Sequence, residues 1–510
     1  MPAMVRIHEK PLQPKTKQNV DPTESLNNQQ KMKRLFPLVL LLLLPAFCLA
    51  QTSESMLKKY SALGLPVICI TTVNGEEPTS TNVRHPEGSY VGASITNVVP
   101  KEGRIQIYRA DTLWYDSGEY QKDVSGMKIK HRGNTSAYSY KNKPFKVTLQ
   151  KKADLIPKEE GDETDRRSKD WVLLNCSFSI RSHFIHQMGK MIGMEYAPRV
   201  EYVNVIFNNN YRGVYILSEN ITRDKTCRID VDMDEGYIIE LNAYFWNEPL
   251  YIRSKYINFM AWTFKYPKPE DIFDEQKEDI KSDIERFEDA IVNDYYPEVI
   301  DVRSFARWIL LHDLLGTYDG AGSNIYVARK NRDASSLMRM PAGWDMDSSM
   351  KYPDQWSRTH RESGIFFSKL FANQKCTDFI ETYIDEYHRA MQLDVMERMR
   401  QLALSFPSSA LGQGLIRSYP HHGQRWGWSS SIYESVDIEA QSQFVYDFFV
   451  EREPGLASLV SGLADGLTEI KADEHTDARK VIRDGHLYII KDDKTYSVDG
   501  FTLSEPSCRR

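Results

Sequence analysis

The sequence predicts an α+β protein of two lobes around a cleft, with a β-rich first half, a helix-rich second half and a short β tail. Three observations carry this reading. Apolar and β-branched residues alternate with period two across much of 65–149. Apolar stripes at helical spacing take over after about residue 280. One helix is inserted among the early strands, an order that suits an α+β domain with a cleft.

The bulk composition is that of a soluble globular chain. Hydrophobic residues make up 41% of the 510 and charged residues 27%, enough for two or three compact domains or one large one. The formal net charge of -6 gives no electrostatic footprint for nucleic acid. Six scattered cysteines, at 48, 69, 176, 227, 376 and 508, form no CxxC pair, which argues against a structural zinc site. Lys31 to Arg34 is basic, 35–47 is almost unbroken apolar sequence, and Cys48-Leu49-Ala50 precedes Gln51. That is the order of a secretory signal peptide, and the run is too short for a membrane span. The expected divisions are an upstream mis-start at 1–31, a signal peptide at 32–50 and a linker at 51–63. Removal of Cys48 leaves five cysteines, so one stays unpaired even where disulfides form.

The elements follow in order. Val67 to Thr72 is a β-branched run, and 104–108, 127–130 and 145–149 alternate as strands, the last two joined by a turn at 132–136. Ile180, Phe184, Met188 and Met191 mark a helix ending before Gly193. Strands at 202–207 and 214–217 flank an Asn-rich turn that ends in Gly213, a hairpin signal, and 236–241 is a further strand. Ile280, Ile284, Phe287 and Ile291 stripe one helix. Phe305, Trp308, Ile309, His312 and Leu315 stripe the next, with Asp301 as its N-cap. Strands at 325–327 and 337–340 come next, then mostly helices over 366–459 and short strands from 480 on.

The sharpest chemistry lies between 310 and 350. Asp319 is followed five positions later by Asn324, then by the two strands, then by Asp345 and Asp347. Phosphoryl transfer needs a carboxylate to orient the attacking hydroxyl and oxygen ligands for a divalent metal on the phosphates. An Asp, four residues, an Asn, a hairpin and a second Asp is the kinase arrangement of those parts. Either half alone reads as ordinary turn chemistry; the two together in this order point to a site.

The β-rich half supplies candidates for phosphate contact. Arg132, Asn134 and Ser136 bracket Gly133 between two strands, offering a cation, an amide and a hydroxyl. Lys146 in the following strand is a candidate phosphate lysine, with Lys143 as its competitor. Glu219 and Glu240 end strand segments and are candidates to pair with a lysine or meet a nucleotide. His421, His422, Trp426 and Trp428 read as packing residues.

Lys130-His131-Arg132-Gly133-Asn134-Thr135-Ser136, Lys143-Pro144-Phe145-Lys146, Trp171-Val172-Leu173-Leu174, Asn210-Tyr211-Arg212-Gly213-Val214-Tyr215 with Glu219, the Asp319 to Asn324 stretch, and Trp344-Asp345-Met346-Asp347 together resemble the spore coat protein H (CotH) kinase family over roughly 64–461. Phe448-Phe449-Val450-Glu451-Arg452 looks like the family's late helix. The resemblance implies a two-lobed atypical protein-kinase-like fold, ATP with Mg²⁺ or Mn²⁺, and transfer to Ser or Thr of a protein. It makes Asp319 the catalytic aspartate, Asn324 and Asp345 metal ligands and Asp347 their neighbour. The chain departs from the pattern at 176–181, where the family's helix opens with Asp, and at Ser349-Met350, where a glycine is usual. The expected divisions continue with a β-rich segment at 64–125, a CotH-like domain at 126–461 and a short β module at 466–510.

The expected function is an exported, ATP- and metal-dependent protein kinase acting in the cell envelope or outside the cell. The expected partner is a protein substrate, with no nucleic acid and no transmembrane segment once the signal is removed. A catalytically silent envelope-binding module and an AMP-transferring enzyme on the same scaffold are the competing readings.

Overall fold

A computed structural model describes residues 53–85, 92–317, 319–320, 324–362, 364–373, 375–429, 431–474, 479–483, 486–491, 494–497 and 502–503. The upstream stretch 1–31 and the signal segment 32–50 lie outside them, as do Cys48 and Cys508. The fold is mixed α+β, β-rich at first and helical later.

The first half holds β1 (Val67–Thr72), β2 (Thr79–Arg84), β3 (Ala93–Val99), β4 (Lys101–Arg109), β5 (Thr112–Asp116), β6 (Met127–His131), β7 (Phe145–Ala153), β8 (Ser168–Asn175), β9 (Val200–Phe207) and β10 (Asn210–Glu219). Seven of them, in the order β1-β9-β10-β8-β7-β6-β4, close into a barrel because β4 pairs back onto β1. The β1–β9 pair is parallel, and the other six pairings are antiparallel. The alternation read from the sequence decides which side chains enter the barrel. Ile68, Ile70, Ile105, Ile107, Ile129, Val147, Leu149 and Trp171 point inward and are essentially dry. Lys128, Lys130 and Lys146, at the intervening positions, remain on the outside.

The β9–β10 hairpin turns on Asn208 and Asn209, both at positive φ (47° and 61°), the two-residue turn whose twist matches the strands. Barrel strands come from both sides of residue 125, since β1 and β4 precede it and the other five follow. Within the stretch expected as a linker, α1 (Glu54–Ser61) forms with Ser53 as its N-cap, and Tyr60 stacks on Tyr211 at 3.8 Å.

The turn expected at 132–136 contains a one-turn helix, α2 (Thr135–Ser139). The next helix is α3 (Arg181–Met191), with Phe184 and Met188 buried on the striped face. A four-stranded antiparallel sheet follows in the order β12-β13-β11-β14, built from β11 (Tyr237–Asn242), β12 (Tyr251–Arg253), β13 (Ala261–Tyr266) and β14 (Ile325–Arg329). The helical half comprises α4 (Asp274–Val292), α5 (Val302–Leu315), α6 (Ile365–Ala372), α7 (Asp378–Gln392), α8 (Val395–Ser405), α9 (Ala410–Trp426) and α10 (Ile438–Glu474). The stripes predicted for α4 and α5 face one large core. Asp301 caps α5 by accepting from the Ser304 amide at 3.2 Å.

The strand expected at 337–340 does not form. Met338 makes a single bridge to Ile300 and Arg339 one to Ala328, and Pro341 removes the next donor. The tail folds as its own four-stranded sheet, β15 (Arg479–Arg483), β16 (His486–Lys491), β17 (Lys494–Ser497) and β18 (Thr502–Leu503). Among the described residues no helix is long and apolar enough to cross a membrane. Cys176, Cys227 and Cys376 are free thiols.

Candidate active site

The site is built where α5 ends. Gly316 terminates the helix in the left-handed conformation (φ 58°), donating to Asp313. A side chain at Gly316 would strike the Phe448 ring at 2.8 Å, so the turn requires glycine. Two residues beyond Thr317 stands Asp319. Asn324 opens β14, and the irregular segment after Pro341 delivers Asp345, Asp347 and Ser348. Asn324 and Asp345 both sit at positive φ (60° and 55°), a conformation Asn and Asp tolerate best after glycine and one concentrated at functional sites.

Hydrogen bonds tie the two segments together. The Ser348 hydroxyl donates to Asp319 Oδ1, and the hydroxyls of Thr317 and Ser349 meet at 2.6 Å. The Met350 amide donates to the Leu315 carbonyl at 3.0 Å. Asn324 Nδ2 donates to Asp345 Oδ2 at 3.3 Å. Beneath them Arg181, 3% exposed, donates to the carbonyls of Asp347 and Ser349 at 2.5 and 2.6 Å and reaches Glu434. The departure at 176–181 therefore places an arginine as the clamp on the acidic loop. A second buried network braces α5: Asp313 accepts from the His360 backbone and ring at 2.8 Å and from the Tyr383 hydroxyl at 2.7 Å, and Arg452 donates to its carbonyl.

Asp319, Asp345 and Asp347 are all reachable from solvent, while protein atoms crowd Asp319 and Asp345 on their other sides. Their carboxylates lie close enough to act on one another. Crowding pushes the Asp345 carboxyl up to about 7, with Asp347, Asp319 and Glu240 adding to the rise and Arg132 opposing it. Burial also raises Asp319, Asp347 adds to that, and the Ser348 hydrogen bond works against it. Like charges concentrated with little neutralisation are what a cation would relieve.

Arg132 stands near this centre. Its guanidinium lies 5.6 Å from the Trp344 ring centroid and acts on Asp345. The Thr135 hydroxyl meets that of Tyr244 at 2.5 Å, and Tyr244 in turn feels Asp345. The other candidates are engaged elsewhere. Asn134 accepts from the Ser94 hydroxyl at 2.7 Å, and Ser136 packs under Gly133, where a Cβ would come within 2.6 Å of its oxygen. Lys143 donates to the Ala137 carbonyl. Lys146 pairs with Asp170 at 2.9 Å on the outer face of the barrel. Glu219 is fully buried, gripped by Arg199 at 2.9 and 3.0 Å, and belongs to the scaffold. His422 and Trp426 bind the β10 backbone through the Val214 amide and the Arg212 carbonyl, which is a packing role.

Lys265 is a cation the sequence did not disclose. It pairs with buried Glu240 at 2.6 Å, Tyr326 also bonds that carboxylate, and Lys265 feels Arg132. A lone lysine in a strand carries no signal for this. Its diagonal relation to Glu240 across the β11–β13 pair, which seats Glu240 opposite Thr263, appears only in the register.

Among the described residues, no three His, Cys, Asp or Glu side chains form a ready-made metal cage. The cluster offers carboxylate and amide oxygens from Asp345, Asp347 and Asn324, a hard donor set suited to a cation that keeps water and phosphate among its ligands.

The family to which the chain is similar places it among kinase-like proteins. The model of the CotH kinase protein family matches residues 129–443, more than half of the chain, and the chain belongs to that family. No curated protein matches it significantly.

Proposed function

We propose that the chain is an exported protein kinase that transfers the γ-phosphate of ATP to Ser or Thr of an envelope or secreted protein. The observation that carries this is the convergence of Asp319, Asn324, Asp345 and Asp347 beside Arg132. In this reading the barrel and the helical half act as the two lobes. Arg132 and Lys265 supply positive charge for the phosphates. Asn324 and Asp345, with Asp347 beside them, would hold a divalent cation, Mg²⁺ or Mn²⁺, which would supply positive charge against that of the phosphates.

Asp319 orients the substrate hydroxyl and takes its proton. The hydroxyl oxygen forms the new bond to the γ-phosphorus, the bond from that phosphorus to the β–γ bridging oxygen breaks, and ADP leaves. Ser348 donates to Oδ1 of Asp319 and would set the orientation of the carboxylate. Export rests on the basic–apolar–small order at 31–50.

The test is incubation of the purified chain with ATP and Mg²⁺ or Mn²⁺, read by intact mass on the chain itself and on a generic acceptor protein. Phosphate adds about 80 Da and AMP about 329 Da. Phosphate gain that disappears in Asp319→Ala and Asp345→Ala supports the reading. A gain of AMP mass replaces it with nucleotidyl transfer. A folded chain that binds no nucleotide with either metal removes it in favour of a binding module.

A further inference from the structure

A groove of about 530 Å³ opens where the end of β13 meets the start of α4. The two most exposed large apolar side chains among the described residues, Phe273 at 76% and Met233 at 65%, both line it. Phe273 is also the N-cap of α4, a position that favours Ser, Thr, Asp or Asn, and it makes no side-chain capping bond. The residue therefore neither caps its helix nor packs in a core. Local rules broken twice at one position, with no gain inside the fold, mark a surface kept for a partner.

The charge of the groove says which partner. Asp234, Asp271 and Glu275 line it, and of its two cations Arg332 is already engaged by Asp279 at 3.1 Å and Asp283 at 3.4 Å. The Tyr266 hydroxyl donates to the Met233 carbonyl at 2.6 Å, and Asp234 and Asp271 are both near enough to act on it. The Arg223 guanidinium already lies 5.4 Å from the Tyr266 ring centroid, so the groove's carboxylates are what suit a further guanidinium or ammonium group, and Met and Phe adapt to an apolar neighbour. The remaining cation, Lys268, stands near Lys130 on β6, and two residues further along lies Arg132 beside the acidic cluster.

We infer that this groove docks a basic, extended segment of the protein substrate. One Lys or Arg of that segment sits among Asp234, Asp271 and Glu275, and one apolar side chain lies on Phe273 and Met233. The segment then continues past Lys130 toward the acidic cluster. The assignment of the segment to a substrate rests on the kinase reading above; the recognition chemistry does not.

The test uses the full chain without ATP and a fluorescein-labelled nonapeptide of alternating arginine and leucine, followed by anisotropy. Wild type should bind it, more weakly as salt rises, and should ignore the same peptide with glutamate for arginine. Phe273→Ser and the Asp234→Asn/Asp271→Asn pair should each weaken binding at least tenfold. Phe273→Ser also installs a good N-cap, so its melting temperature should hold or rise while binding falls, which separates docking from folding. Wild type that ignores the basic peptide, or binds the acidic one equally, overturns the proposal, as does Phe273→Ser binding undiminished. A chain that docks the peptide yet incorporates no phosphate keeps the groove and loses the kinase reading.

Discussion

Arg181 and Ser349 stand 168 residues apart, yet the buried guanidinium of the first donates to the carbonyl of the second at 2.6 Å. The same group holds the Asp347 carbonyl, so one side chain sets the backbone path of the acidic loop. Arg181→Ala leaves two carbonyls and Glu434 without that partner and should cost about 3 kcal/mol, read as a lower urea midpoint. Arg181→Lys should recover less than half, because an ammonium lacks the planar fork. An unchanged midpoint in both variants would show that the loop is held by other contacts.

Ser348 orients Asp319 without touching the substrate in the proposed reaction. Ser348→Ala should lower kcat about tenfold and leave the KM for ATP unchanged, whereas Asp319→Ala should lower kcat by about 10² or more. Equal kcat values for Ser348→Ala and wild type would remove the positioning role.

The cations around the acidic cluster should not be equivalent. Arg132→Ala should raise the KM for ATP about tenfold, a loss of about 1.4 kcal/mol in binding. Lys146→Ala should change it less than twofold, since Lys146 forms a partly exposed pair with Asp170. Lys265→Met should destabilise by about 3 kcal/mol by stranding buried Glu240, and Glu240→Gln in the same chain should restore most of the loss. Titration of ATP and urea unfolding of the four variants measure both effects. A larger KM effect at Lys146 than at Arg132 would reverse the assignment.

His422 predicts an acid-side loss of stability. Burial first holds its pKa down at about 4, and the Val214 amide, which donates to Nδ1, favours the neutral ring as well. A histidine whose folded pKa is depressed contributes fully above the unfolded value near 6.5 and loses that contribution as pH falls toward 4. The loss amounts to about 3 kcal/mol by pH 4. Melting followed from pH 7 to pH 4 should show it. His422→Ala should be less stable at pH 7, because the Val214 amide loses its acceptor, yet should fall less steeply with acid. Parallel slopes for the two proteins would count against this.

The convergence of the candidate residues was legible because they are local in the chain. Asp319, Asn324 and Asp345 are separated by one hairpin-like excursion, and their spacing carries the signal. Strand faces were equally plain, since alternation alone sends Ile129 inward and Lys130 outward. What was not legible depends on pairings between distant segments. Arg181 looks like an ordinary residue at a helix start until the 347–349 backbone arrives above it. Lys265 looks like a solvated strand lysine until register brings Glu240 within 2.6 Å. Glu219, attractive at a strand end, proves to be scaffold because Arg199 lies on a segment whose proximity no spacing rule reveals. Barrel closure was hidden for the same reason: period two fixes which face is buried but is silent about which strand lies beside which.

The parallel pairing of β1 with β9 has a consequence for how the chain acquires its structure. Ile68 sits opposite Val205, so the seam cannot be sealed until at least the β9 segment has been made or translocated. The antiparallel run from β6 to β8 is close in sequence and can form early, whereas the seam carries a large loop-closure entropy and must come late. Until β9 arrives, β1 is therefore unpaired on its parallel edge. A slow final folding phase that shortens when Ile68–Val205 contacts are strengthened is the expected sign of that order.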